Sequence, residues 1–343
     1  MADVKATKSI DQSLATDVEA SAATSLLVLL AHVAALGYQF ITPTPATHLR
    51  FLSRHAAEGA RSLREIFGWN CSFQTTDVTP QLLKLMADAD VLLGNGNLRS
   101  AVRIASIDDD LFLHSSFPTR EEASVFFGPD TYRFVRLIRE SCSHMEYAAA
   151  RYNEQRPVRI LDLGCGSGAG GIAAARVMGS IGQHFALTLS DINPAALRYA
   201  AINADFAHLP ATTILSDGFQ HIDGAFDLII ANPPYMQDEA QRAYRHGGAQ
   251  LGRDLSVRLA TEALAHLAPG GSLILYTGVA IVDGRDGFLE ELQESLQQSG
   301  CTWSYSEIDA DVFGEELDRP AYRQAERIAA VGLVATRKRL TAV

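Results

Sequence analysis

The sequence predicts an α/β protein: a mostly parallel sheet covered on both faces, preceded by a mainly helical module that ends in a hairpin. Three observations carry this. From Val158 onward short apolar runs alternate with helix-length amphipathic stretches, the pattern of right-handed strand–helix–strand crossovers. A glycine run, Gly164 to Gly168, follows the first of those strands directly, and sharp turns at strand carboxyl ends are where such sheets bind ligands. Before residue 120 the pattern is different, with several short helical stretches and then two strand-like runs. At 343 residues the chain accommodates two domains, 1–120 and 121–343.

Composition narrows the class. With 47% apolar and 20% charged residues the chain can bury a large core. A net charge of −11 argues against a broad nucleic-acid footprint, which calls for a basic face. Cys71, Cys142, Cys165 and Cys301 lie far apart, with neither metal-ligand spacing nor a disulfide framework. A reducing, cytoplasmic location and no metal follow as expectations. The apolar run Leu26–Leu36 is too short to span a bilayer, contains His32 and has no basic lead. It is expected to be a buried helix, with no membrane partner.

In order, residues 1 to about 20 are polar and Ala/Ser-rich, a frayed start. Helices are predicted at 21–37, stopped by Gly37, at 46–57, at 61–67, stopped by Gly68, and at 80–88, opened by Thr79-Pro80. Strand-like runs at 101–107 and 111–114, joined by Asp108-Asp109-Asp110, complete a winged-helix-like module for substrate capping or dimerisation. Gly128-Pro129 marks a turn, with Asp130 or Thr131 capping a helix that runs to about Arg151. Strands are then predicted at 158–162, 185–190, 212–216, 226–231, 272–276, 302–308 and 328–336, seven in all. Val257, Ala260, Leu264 and Leu267 share a helix face before Pro269-Gly270-Gly271; Phe288, Leu292 and Leu296 do the same before Gly300. No helix-length pattern separates the last two strands, which reads as an antiparallel pair at one end of the sheet.

Four strand ends carry polar groups suited to one ligand edge. The first gives Asp162-Leu163-Gly164-Cys165-Gly166-Ser167-Gly168. Dinucleotide folds seat a pyrophosphate on a similar run, but Asp162 would repel a phosphate and suits a positive group, such as the amino-acid end of S-adenosylmethionine. The second gives Ser190-Asp191-Ile192-Asn193-Pro194, where Asp191 can accept both ribose hydroxyls or simply cap a helix. The third gives Ser216-Asp217-Gly218, where Asp217 can accept from an adenine amino group or simply form a turn. The fourth gives Asn232-Pro233-Pro234-Tyr235 after a buried strand. Two prolines end that strand abruptly. They leave the Asn232 side chain and the Pro233 carbonyl to accept both hydrogens of an –NH2 group, with the Tyr235 ring against the flat group that carries it.

Taken together, residues from about 126 to 336 resemble a class I S-adenosylmethionine-dependent methyltransferase acting on nitrogen. The likeness is nearest to release-factor glutamine methyltransferases and small-domain ribosomal RNA guanine methyltransferases. Asp162 to Gly168 resembles the first motif of that family, Asp191 its ribose-binding acid, Asp217 its adenine-edge residue and Asn232-Pro233-Pro234-Tyr235 its catalytic tetrapeptide. The resemblance implies a seven-stranded Rossmann-like sheet with a reversed last strand, and S-adenosylmethionine as cofactor, leaving as S-adenosylhomocysteine. Asn232, Pro233 and Tyr235 are then the catalytic group. Asp162, Gly164, Cys165, Gly166, Gly168, Asp191, Ile192, Asp217, Gly218 and Asn232 are the cofactor set. Thr131 joins that set because the family places a Pro-containing segment before the first strand; Gly128-Pro129-Asp130-Thr131-Tyr132 matches it in place, not in letters. Residues 1 to about 120 match nothing.

The expected acceptor is a protein side-chain amide or a small amine-bearing molecule; the alternative within enzymes is a nucleobase amino group in RNA or DNA. A dinucleotide-dependent oxidoreductase has no use for Asp162 or for Asn-Pro-Pro-Tyr. An S-adenosylmethionine-sensing regulator would need a basic recognition helix, which the first module lacks. The Gly-rich stretch Tyr244 to Arg253, with His246 as a candidate for proton removal, is expected to close over substrate. Tyr276-Thr277-Gly278 is expected to line the pocket, and Asp283 to Gly287 to form a turn.

Overall fold

A computed structural model describes residues 21–55, 59–119, 121–144 and 156–339. The chain divides into two compact units, Met1–Thr119 with Asp205–His208, and Arg120–Ala204 with Leu209–Val343.

In the first unit, α1 (21–35) buries Leu26, Leu29, Leu30 and Val33 on one stripe, and Gly37 turns the chain out at φ +73°. The expected frayed start at 1–20 lies outside the described residues. α2 (Pro45–His55) opens on a proline, whose fixed φ suits a first turn. The helix predicted at 61–67 is instead one wide turn, Arg64–Gly68, in which Trp69 N–H returns to Arg64 O. Gly68 lets this turn pack directly against the Phe40 ring, where an added Cβ would fall 2.3 Å away. α3 (Pro80–Asp88) is capped by Thr79, whose hydroxyl accepts from Leu82 N–H at 3.2 Å. A two-residue pair, β1 (Leu92–Leu93) with β2 (Arg99–Ser100), precedes the hairpin β3 (Val102–Ile107) and β4 (Asp110–Ser115). Asp110 belongs to β4, opposite Ile107, so the turn is shorter than the three aspartates suggest.

The second unit begins with α4 (Pro129–His144). Neither Asp130 nor Thr131 caps it: Pro129 is its first residue, and the Thr131 hydroxyl accepts from Gly128 N–H at 3.3 Å. The predicted continuation to about 151 lies outside the described residues. Then follow β5 (Val158–Leu163), α5 (Ala169–Ser180), β6 (Phe185–Asp191), α6 (Pro194–Phe206), β7 (Ala211–Leu215), β8 (Phe226–Ala231), α7 (Asp254–Ala265), β9 (Leu267–Val282), β10 (Arg285–Asp286), α8 (Gly287–Gln298), β11 (Cys301–Asp309) and β12 (Arg327–Arg337).

The sheet runs β11-β12-β9-β8-β5-β6-β7. The strands from β7 to β9 are parallel, and β12 is antiparallel to both of its neighbours. This is the expected mostly parallel sheet with one reversed strand. The two-residue β10, hairpinned onto β9 through Asp283-Gly284, makes it eight-stranded. β9 starts earlier than predicted. α7 has already ended at Ala265, and Pro269-Gly270-Gly271 is absorbed by a register shift opposite Phe226–Leu228, where a Cβ on Gly271 would meet Phe226 O at 2.6 Å.

The main core lies between the sheet and α7 and α8: Leu161, Ile229, Leu273 and Leu333 meet Leu259, Ala263, Phe288 and Leu292. Each side chain so buried contributes about 1.5–3 kcal/mol. One carboxylate interrupts β8. Asp227 is fully buried, and the Arg156 guanidinium donates to both its oxygens, at 2.7 and 3.1 Å. Arg159 N–H adds a third bond at 2.9 Å. Among the described residues no helix is long and apolar enough to cross a membrane.

Candidate active site

Because β5, β6, β7 and β8 run the same way, their carboxyl ends lie side by side, and a cavity of about 210 Å³ opens there, within the second unit. The cofactor-side residues named from sequence, Thr131, Asp162, Gly164, Cys165, Gly166, Asp191, Ile192, Asp217 and Gly218, line it together with Asn232, Pro233 and Tyr235. Gly168 does not line it and instead packs behind, where an added Cβ would fall 3.1 Å from Ala200.

The loop after β5 takes its shape from left-handed backbone. Gly164, Gly166 and Gly168 have φ of +69°, +53° and +78°, conformations that side-chain-bearing residues rarely adopt. At Gly164 and Gly166 an added Cβ would meet nothing within 4 Å, so the bare backbone faces open space. Two aspartates fix this loop. Asp162, buried beneath it, accepts from Gly171 N–H at 2.7 Å, filling a donor that the first turn of α5 would leave unpaired. Burial pushes its carboxyl up from 3.8 to about 7, and the charge of Asp191 adds to that. Asp191 accepts from Gly166 N–H and from Asn193 N–H, both at 2.8 Å. Burial raises its pKa too, while those bonds oppose the rise. The Cys165 thiol is held protonated by burial and by both aspartates, so it is no nucleophile.

Farther along the edge, Asp217 is paired at 2.8 Å with Arg258 from α7, a partner the sequence did not suggest. Ile192 is 57% exposed at the cavity wall, an apolar surface beside an acid.

At the fourth corner Asn232 is half-buried, and its side chain hydrogen-bonds to none of the described residues. Pro233 is buried. Tyr235 is more tightly held than a ring free to lie on a ligand. Its hydroxyl donates to Asp130 Oδ2 at 2.7 Å, and Phe313 meets its ring edge-on at 6.0 Å. Phe313 has φ +54°, a strained conformation for a bulky residue. Phe126 and Tyr244, with near-parallel rings 6.1 Å apart, and Arg245 complete the wall.

The loop expected to close over substrate is fastened down. Met236 N–H donates to Arg245 O, and Gly247 N–H to Met236 O. Gly247 and Gly252 permit backbone-to-backbone contact: a Cβ on Gly252 would lie 2.3 Å from Tyr235 O, and one on Gly247 2.6 Å from Pro234 O. Asp238, almost fully buried, accepts from Arg242 and faces Arg245, which hold its pKa down to about 2. Arg245 pairs with Glu316, and Gln237 N–H donates to the Tyr322 hydroxyl at 2.8 Å. The segment between β11 and β12 thus pins the loop. His246 is part of this scaffold, its Nδ1 accepting from Asp238 N–H at 3.3 Å, and it does not line the cavity. No group of three or more His, Cys, Asp or Glu among the described residues is placed to hold a metal.

The mostly parallel sheet with one reversed strand, and the glycine corner flanked by acids at neighbouring strand ends, make this unit similar to S-adenosylmethionine-dependent methyltransferase domains. Residues 149–280 match the family model of the methyltransferase small domain. The chain is 34% identical over 115 residues to ribosomal RNA small subunit methyltransferase C of Serratia proteamaculans, covering 34% of this chain and 29% of that protein. It is 27% identical over 175 residues to the release factor glutamine methyltransferase of Lactococcus lactis, covering 48% and 60%. The chain therefore spans less than two thirds of the length of these curated relatives. Among solved structures, M. jannaschii TYW2 in complex with AdoMet superposes with a TM-score of 0.45 at 14% identity, over 73% of this chain and 93% of that one. S-adenosylmethionine is the cofactor of this domain type, and the corner fits it: open glycine backbone, a carboxylate with lone pairs to spare and an exposed apolar side chain adjoin one another.

Proposed function

We propose that this chain methylates an –NH2 nitrogen on a planar group. The observation that carries the reading is the Asn232 side chain, without a hydrogen-bond partner among the described residues, on the wall of the same cavity as Gly164, Gly166 and Asp191. Gly164, Cys165 and Gly166 would cradle S-adenosylmethionine, Asp191 and Ile192 its ribose and adenine, with Asp162, Thr131, Asp217 and Gly218 around them. When bound, it supplies an electrophilic sulfonium methyl. Asn232 and the Pro233 carbonyl accept from the two hydrogens of the amine and turn its lone pair toward the methyl donor. As positive charge develops on nitrogen those hydrogen bonds strengthen, so the corner binds the transition state better than the ground state. His246, which does not line the cavity, takes no part.

The acceptor in this reading is a protein side-chain amide or a small amine-bearing molecule, in keeping with the net charge of −11 and with the release factor relative. A nucleobase amino group is the second reading, favoured by the aromatic walls Phe126, Tyr244 and Phe313 and by the ribosomal RNA relative. Incubation with tritiated S-adenosylmethionine and cell extract, sorting label into protein, RNA and small-molecule fractions, separates the two. Label in none of them overturns the proposal.

A further inference from the structure

Asp130 stands in none of the roles given above, yet more of the site converges on it than on any of its neighbours. It is 5% exposed and lines the cavity. Each of its carboxylate oxygens is filled by a tyrosine: Oδ2 by the Tyr235 hydroxyl at 2.7 Å, Oδ1 by the Tyr276 hydroxyl at 2.6 Å. Arg133, one turn along α4, donates to the same Oδ1 at 3.2 Å and reaches Asp309 on β11 at 2.7 Å. Three elements therefore meet at one buried carboxylate, namely α4, β9 and the corner after β8, and Arg133 ties β11 to them.

Such a carboxylate is costly to bury unless every lone pair is answered. Here two hydroxyls and a guanidinium answer it, at 2.7, 2.6 and 3.2 Å. Swinging the Tyr235 side chain away would break its bond to this buried carboxylate, and the close approach of Gly278 to the ring edge restricts turning about the ring's own axis. Its backbone is held at the same time by Gly247 and Gly252. Asp130 also precedes Thr131, which borders the cavity from the same first turn. One side chain thus sets the register between the α4 edge of the cavity and the acceptor corner.

We infer that Asp130 is the positioning residue of the proposed methyl transfer, aligning Asn232-Pro233-Pro234-Tyr235 with the methyl donor through the Tyr235 and Tyr276 hydroxyls. This rests on the methyl-transfer reading. A misplacement of about 1 Å in a reacting group costs about 100-fold in rate, whereas the seat for the cofactor, built on Gly164 and Asp191, is untouched.

The test uses the full chain and the variants Asp130→Asn, Tyr235→Phe and Asp130→Asn/Tyr235→Phe. S-adenosylhomocysteine affinity is measured by calorimetry, folding by thermal melting, and tritium transfer by titrating the extract fraction that the wild type labels. Each single variant should lower the maximal labelling rate by about 100-fold, with S-adenosylhomocysteine affinity and half-saturating extract within about twofold. The double variant should be no slower than either single one, because both break one linkage. Maximal rates at the wild-type level, losses no larger than the unfolded fraction, or losses that multiply in the double variant would overturn the inference. If Asp130→Asn does not fold, Tyr235→Phe decides alone, since it leaves Asp130 with Tyr276 and Arg133. Absence of labelling by the wild type sinks the methyl-transfer reading and this inference with it; normal labelling by the variants sinks this inference only.

Discussion

The ring of Tyr235 lies so close over Gly278 that a Cβ added there would stand 2.3 Å from its Cε2. β9 thus supplies both a bare patch for the ring and, from Tyr276, a second hydroxyl for the carboxylate that holds it. Gly278→Ala should displace the ring, costing about 1–3 kcal/mol of stability as overpacking does, and should lower methyl transfer more than S-adenosylhomocysteine affinity. Thermal melting, calorimetry and tritium incorporation read the three effects. A variant with unchanged turnover would show that the ring's place does not matter.

In the proposed reaction Asn232→Ala removes one acceptor at the amine while Gly164, Cys165, Gly166 and Asp191 stay in place. The expected result is near-normal S-adenosylhomocysteine binding with turnover reduced by about 2.7–4 kcal/mol, as for a preorganised polar stabiliser of developing charge. Near-normal turnover would remove Asn232 from the reaction.

Two buried groups should tilt stability with pH in opposite directions. Asp162 ionises near 3.8 when exposed and near 7 in the fold. Between those values the folded protein keeps a proton that the unfolded chain has released, so stability from this group is full below 3.8 and drains away as pH rises through 7. His48, in the first unit, is lowered from 6.5 to about 4, first by burial and then by Arg103, so its stability is present above 6.5 and lost as pH falls through 4. Asp162→Asn should therefore gain on the wild type as pH rises from 4 to 8 in denaturant titrations. A difference independent of pH would mean that Asp162 is ionised throughout.

Arg156→Ala takes the guanidinium from the buried Asp227 carboxylate inside β8. A loss of about 3 kcal/mol is expected in urea denaturation. Arg156→Lys should recover only part of it, because an ammonium cannot present the two-pronged contact seen at 2.7 and 3.1 Å.

What the letters conveyed and what they hid divide along physical lines. The glycine corner was legible because left-handed backbone leaves a compositional trace, and the sheet because buried parallel strands are long apolar runs. Asp130 was hidden: an acid just after Gly128-Pro129 looks like a helix cap, and nothing local announces tyrosines that reach it from residues 235 and 276. Arg258 was hidden in the same way, 41 residues from Asp217. The stretch 244–253 was expected to close over substrate because glycines suggest freedom; its backbone contacts were hidden, since Gly247 and Gly252 are small where two backbones touch. The pair β1 and β2 and the strand β10 escaped notice because two residues have no period to detect.

β12 is threaded between β9 and β11, with Gly332 opposite Tyr276 and Ala330 opposite Gly278. During synthesis it is made after every other strand of the sheet. A nascent chain that has emerged only to residue 326 has its glycine corner and its Asn232 already translated, but β11 has no neighbour to lie against and one flank of Tyr276 stands open to water. The Tyr276 flank closes only when residues 327–337 slide into that gap. Completion of the β9 side of the cavity edge is thereby tied to the last strand.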